Sequence, residues 1–166
     1  MNKISLRLLV SLFAVATVPT AVLGVSPLQV VVFDFTADEP GAVDAARSIS
    51  DLFRAQLKET GKVLLISPAQ EEEEPTVDLL VVGSKEEALA KGIECGADRV
   101  ITGRVLSLVE GLTVYATLFD LPTGSVAAAV KVEGVDRTQP EPSVRELVDR
   151  LTMKITYYGV FLPVDS

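Results

Sequence analysis

Ten residues about two thirds of the way along the chain, LTVYATLFDL (Leu112 to Leu121), limit the fold more than any other stretch. Leu112, Val114, Ala116 and Leu118 alternate with Thr113, Tyr115 and Thr117. A period of two is the signature of a strand with one apolar and one polar face. Such a strand cannot bury its apolar face alone; it needs neighbours beside it and a layer beneath it. The neighbours follow in sequence. Val100 to Val109 supplies a strand before it, with Glu110-Gly111 as a tight turn. The segment DLPTG turns the chain again, with Pro122 fixing one backbone angle and Gly124 free to take positive φ. Val126, Ala128, Val130 and Val132 then share a face, while Lys131 and Glu133 point away. These three strands predict an antiparallel meander with one buried face.

The covering layer must come from amphipathic helices. Val43 to Thr60 carries Ala45, Ile49, Leu52, Phe53 and Gln56/Leu57 at helical spacing, and Gly61 supplies a left-handed stop. Ser84 opens a second helix through the capping box SKEE, with Glu87 three residues on. Ala88, Leu89, Ile93 and Ala97 form its apolar side, Gly92 weakens it and Gly96 ends it. Past the linker DRTQPEP, Ser143 and Glu146 read as another capping box. Val144, Leu147, Val148, Leu151 and Ile155 make the stripe of a third helix. LQVVVFDF (Leu28 to Phe35) is an apolar and aromatic run ending in an acid-aromatic step, as suits a strand covered on both sides, and Lys62 to Ser67 is a second short strand. Pro68 to Thr76 is a loop with four adjacent glutamates, and Val77 to Gly83 reads either as a strand or as an apolar loop.

The order is β-α-β-(loop)-α-β-β-β-α. It predicts a two-layer α/β (α+β) sandwich: a mixed sheet with a β-α-β start, a three-stranded antiparallel meander and a C-terminal helix. A right-handed first crossover is expected if its strands are parallel.

Residues 1–24 read as a secretory signal peptide. Lys3 and Arg7 precede an apolar run from Leu8 to Val18, Pro19 breaks it, and Val22 and Gly24 are small residues at a cleavage point. The run is shorter than the ~20 residues of a spanning helix. Residues 25–166 then form a single domain with no integral membrane span; an uncleaved segment would act as an N-terminal anchor. No cysteine stands at the cleavage point to take a lipid. Cleavage leaves 13 basic and 23 acidic residues, a net charge of −10. That surface repels phosphate backbones and anionic lipid, which argues against nucleic acid, and it favours a basic partner.

The chain has no histidine. This removes Ser-His-Asp and Cys-His catalysis and every His-containing metal site. The lone Cys95 stands beside Glu94 at a helix C-terminus, where negative potential raises a thiol pKa, so it reads as a packing residue. The glycines of GADRVITGRV lie between helix and strand, the reverse of a phosphate cradle, and Gly103 reads as a site of close packing or a bulge. Asp34 and Asp98 are the best pair for a carboxylate site if they share one edge of the sheet; otherwise each caps a turn. Asp120 is a turn residue. Glu71 to Glu74 lack the spaced oxygens of a calcium loop. Tyr157, Tyr158 and Phe161 form either a partner patch or the closing aromatics of an apolar tail that docks as an edge strand. No catalytic, cofactor-binding or metal-ligating set emerges.

VVVFDF, ARSISDLFRAQLKETGKVLLIS, EEALAKGIECGADRVITGRV and LTVYATLFDLPTGSV together resemble a group of bacterial envelope domains. The group includes the TolB amino-terminal domain, the curli secretion lipoprotein CsgG, the LpoB activator of penicillin-binding proteins and the flagellar protein FlgO. The resemblance runs from about Leu28 to Glu133. It implies an α/β domain used for protein contacts in the periplasm or at the outer membrane, and it brings no catalytic residues. The chain departs from TolB in having no room for a propeller, from CsgG and LpoB in lacking a lipid-bearing cysteine, and from CsgG in lacking membrane hairpins. The leading expectation is a non-enzymatic, exported envelope accessory protein acting through protein–protein interaction. A small-ligand or carboxylate enzyme domain at Asp34/Asp98 and a self-associating ring or filament subunit are the alternatives.

Overall fold

In the computed structural model the described residues are 27–67 and 82–158. The signal segment, the glutamate loop, most of Val77 to Gly83 and the tail beyond Tyr158 lie outside them. The elements are β1 (Leu28–Val32), β2 (Thr36–Ala37), a 3-10 turn (Pro40–Ala42), α1 (Val43–Glu59), β3 (Val63–Leu65), α2 (Lys85–Glu94), β4 (Arg99–Leu108), β5 (Gly111–Asp120), β6 (Ser125–Val135) and α3 (Glu141–Tyr158). The strands form one sheet in the order β3-β1-β4-β5-β6, with β2 alongside β4. β1 runs parallel to β3 and β4, and the meander β4-β5-β6 is antiparallel. This is the expected mixed sheet.

Among the described residues the two faces are covered unequally. Val30, Val32, Ile101, Val105, Leu112, Val114, Ala116, Leu118, Ala128, Val130 and Val132 point to one face. There they meet Ile49, Phe53 and Leu57 of α1 and Val144, Leu147, Val148, Leu151 and Ile155 of α3. Each fully buried large side chain here contributes roughly 1.5–3 kcal/mol. Val31, Phe33 and Val100 point to the other face and pack with Ala88 of α2 and with Val82. α2 therefore covers one corner of the second face, where the continuous apolar run of β1 needs it.

The strand expected over Leu28 to Phe35 is broken, and the break has a cause. Val32 pairs with Ile101 and Thr36 with Arg104, so β1-β2 spends four residues against three on β4. One extra residue, a bulge, reverses the alternation. Phe33 thus faces α2 while Phe35 faces the main core. Phe35 lies over Gly103, where an added Cβ would stand 2.3 Å from the ring. The ring also packs at a tilt on Phe53, with centroids 5.2 Å apart. Its amide donates to Ser50 Oγ at 2.8 Å, and that hydroxyl donates to the Ala46 carbonyl at 2.7 Å. The fully buried Ser50 is what shifts the inner stripe of α1 toward Ala46 and away from the half-buried Ala45 and Leu52.

Other details differ from the sequence expectation. Val126 is exposed, because a register shift between Leu118 and Phe119 inserts Ala127 and turns Val126 to the other side. Ile93 is exposed, and Gly92 is the buried position of α2: an added Cβ there would stand 2.3 Å from Val100, so the glycine permits contact with the sheet. The first hairpin turns on Val109-Glu110, one residue early, with Gly111 at φ 134° opening β5. α3 starts at Glu141, ahead of Ser143, so no capping box forms there; Pro142 sits in the first turn, where no amide donor is needed. Tyr157 and Tyr158 continue α3 instead of entering an edge strand.

Gly103→Ala is expected to lower stability by about 1–3 kcal/mol through overpacking against Phe35. Urea unfolding checks it, and an unchanged midpoint would show that the ring moves aside freely.

Candidate functional site

Asp34 and Asp98 do not share a site. Asp98 stands at the start of β4, beside the start of β1: its Oδ2 accepts from the Gln29 amide at 2.8 Å, and its own amide donates to the Gln29 carbonyl at 2.9 Å. Its carbonyl also accepts from Leu121 at 3.1 Å. Asp34 lies past the other end of β1. Parallel strands put the end of one and the start of the next at opposite edges, so five residues of strand, on the order of 15 Å, separate the two acids. Asp34 pairs with Arg54, whose Nε donates to the Val32 carbonyl at 3.2 Å and whose other nitrogen holds Asp51 at 3.1 Å. It anchors α1 to the sheet. Asp120 caps its turn as expected, accepting from Thr123 Oγ1 at 2.8 Å, and it faces Arg99 across the strands at 3.4 Å.

Cys95 closes the C-terminus of α2, half-buried and packed, like Ala97 and Leu121, against the smaller core. Burial and then the Glu94 charge push its thiol pKa up, so it is poorly suited to be a nucleophile. Gly96, at φ 69°, takes the left-handed position that ends the helix. No cluster of three or more Cys, Asp or Glu suited to a metal occurs among the described residues.

Among the described residues, the surface feature that stands out is the part of the second sheet face that α2 leaves uncovered. A groove of about 470 Å³ runs there over β4 and β5, lined by Asp34, Thr102, Arg104, Tyr115, Thr117 and Phe119, with Ser84 and Lys85 of α2 as one wall. Register places Arg104 opposite Tyr115 and Tyr115 opposite Lys131, which gives one row across three strands. Each cation in the row has its own carboxylate. Asp38 takes Arg104 through two oxygens, one at 2.8 Å, and Glu133 takes Lys131 at 2.7 Å. These hydrogen bonds, and then the carboxylate charges, raise both cations' pKa values. Thr102 and Thr117 form the next row, and Phe119 lies beyond them under the Lys85 ammonium, 5.6 Å from the ring centre. The alternation of β5 puts Tyr115 and Thr117 on this side; the sequence could not show how little of the face α2 covers. The groove has an aromatic centre and a polar, charge-paired rim, the makeup of a protein-contact surface. Among the described residues its lining contains no cluster of three or more Cys, Asp or Glu suited to a metal.

The groove wall is fixed by the Ser84 cap. Ser84 Oγ accepts from the Glu87 amide at 3.1 Å, and Glu87 Oε2 returns to the Gly83 amide at 2.7 Å, one residue earlier than a standard capping box.

A family model described as the TolB amino-terminal domain matches residues 22–126. A search of curated proteins finds no significant match. Among solved structures, the LpoB C-terminal domain from Escherichia coli matches with TM-score 0.52 and 20% identity, over 63% of this chain and 79% of that one. TolB from Acinetobacter baumannii matches with TM-score 0.52 and 12% identity, over 78% of this chain but only 28% of the TolB chain. At these identities the likeness is one of fold.

Two outcomes are expected. The Gly83 amide, and then Lys91, hold the Glu87 carboxyl below the usual range, so its contribution is full above that range and fades as pH falls through the lowered value. The gap in melting temperature between wild type and Glu87→Gln should therefore close on acidification; a gap constant with pH would refute the charged cap. Cys95→Ser should fold and leave function intact, and a folded variant that loses it would give the thiol a role beyond packing.

Proposed function

Because the chain belongs to the TolB amino-terminal domain family, we propose that it is a non-enzymatic envelope protein that binds another protein through the open half of its second sheet face. The observation that carries this reading is the row Arg104-Tyr115-Lys131 across three long strands, with Tyr115 half-buried at its centre. Tyrosine and arginine are favoured at the energetic centres of interfaces, since each offers a large contact area with a polar handle. The surrounding pairs keep the face soluble until a partner arrives.

The partner suited to this face is a basic protein surface with an apolar or aromatic centre. The chain has a formal charge of −8 and a sequence pI near 4.6, so approach by a basic surface is accelerated electrostatically. Asp38 and Glu133 supply carboxylates beside the aromatic centre. In the same reading residues 1–24 direct export and are removed, residues 25–166 work as one domain, and the place of action is the periplasm or the outer membrane. Among the described residues no helix is long and apolar enough to cross a membrane. The enzyme alternative loses its motive, since the two acids on which it rested are held apart at opposite ends of β1.

A photoreactive residue at position 117 should capture one dominant envelope protein in cells, and one at position 149, on α3, should not. Tyr115→Ala should weaken that complex at least about tenfold while leaving the fold intact. Recovery of only scattered background proteins from position 117 would overturn the reading.

A further inference from the structure

β6 is the outermost strand of the sheet and, among the described residues, pairs on one side only, with β5. It is eleven residues long. A bare antiparallel edge of that length is a template for another strand. Here two backbone acceptors on the edge are already occupied. Lys154 Nζ donates to the Ala129 carbonyl at 2.8 Å, and Arg150 donates to the Lys131 carbonyl at 3.1 Å. The match is geometric. One turn of α3, four residues, rises about 6 Å, and two residues of β6 advance about 6.7 Å. Two cations spaced i, i+4 on the helix thus reach successive outward carbonyls on the strand.

We propose that Arg150 and Lys154 are a removable cover on a strand-addition edge, and that the strand this edge accepts when uncovered is β6 of a second copy of the chain. Because the carbonyls of Ala129 and Lys131 point outward, their amides do too. Two such edges meeting antiparallel about Val130 would set Ala129 of each copy opposite Lys131 of the other, and all four outward residues would exchange hydrogen bonds. This register also keeps the two lysines from standing directly opposite each other, which a register centred on Lys131 would force. It places the irregular stretch around Gly134, at φ 67°, toward the end of the paired segment. The pairing is self-complementary, as a two-fold dimer requires. The cover can lift because Arg150 has a second partner, Glu146, one turn back on α3.

The test compares the chain as the cell processes it with Ala129→Pro alone, with Arg150→Met/Lys154→Met, which keeps the side-chain stems, and with the same double variant carrying Ala129→Pro. Light scattering across a concentration series reads mass, and circular dichroism confirms the fold. The double variant should show a concentration-dependent doubling of mass relative to wild type, and the proline, which removes an outward amide, should reverse it. A folded double variant with wild-type mass at every concentration overturns the proposal. So does a doubling that the proline leaves in place, because the association then lies elsewhere. Wild-type association that Ala129→Pro abolishes would show that the two cations do not close the edge. If the methionine pair fails to fold, Arg150→Gln/Lys154→Gln is read by the same outcomes.

Discussion

The stacking of Phe35 on Gly103 is the contact on which the layers depend. It requires a position without a side chain on β4 and a strand that changes its facing direction within four residues. The bulge between β1 and β2 meets the second requirement and sends two neighbouring phenylalanines to opposite sides of the sheet. Ser50 then ties the Phe35 backbone to α1, and Arg54 ties α1 to the Val32 carbonyl and to Asp34. Strand, helix and glycine are thus fixed together, and Asp34 belongs to that anchorage.

The same bulge determines what stays open. With Phe33 turned toward α2, the smaller core gathers at one corner with Val31 and Val100. The long strands β4, β5 and β6 extend beyond that corner, and their outward residues mix threonine, tyrosine and paired charges with Leu106 and the exposed Val126. A face of this kind tolerates water without large cost and still offers a buried aromatic contact when dried. Its ion pairs contribute little to folding, since exposed pairs are typically worth under about 1 kcal/mol; their value lies in orientation.

Most of the architecture was legible because periodicity is a direct image of burial. The β5 alternation, the α3 stripe from Val144 to Ile155 and the order of elements all appear in the structure as the sequence implies. What escaped was decided by single residues inserted or exchanged between strands. Ala127 turns Val126 outward, and one extra residue in VVVFDF separates Phe33 from Phe35; neither alters composition or period enough to be seen. Ile93 was misplaced because a buried glycine at Gly92 leaves no apolar mark in the stripe. The carboxylate pair failed on direction: with β1 and β4 parallel, an acid after one and an acid before the other stand at opposite ends. The groove was half legible, since Tyr115 and Thr117 plainly face away from the core, but its extent depends on where α2 stops.

The interior position of β1, between β3 and β4, has a consequence for how the chain assembles. β1 is synthesised first, yet one of its two neighbours, β4, begins at Arg99, about seventy residues later. The meander and α3 involve short separations and can form early, whereas the β1–β4 ladder must close a long loop. The parallel part of the sheet is therefore joined to the meander last, by an apolar strand that has waited through most of synthesis. During that wait VVVFDF is the segment most in need of protection from other chains. Phe35 settling onto Gly103 marks the moment when that exposure ends.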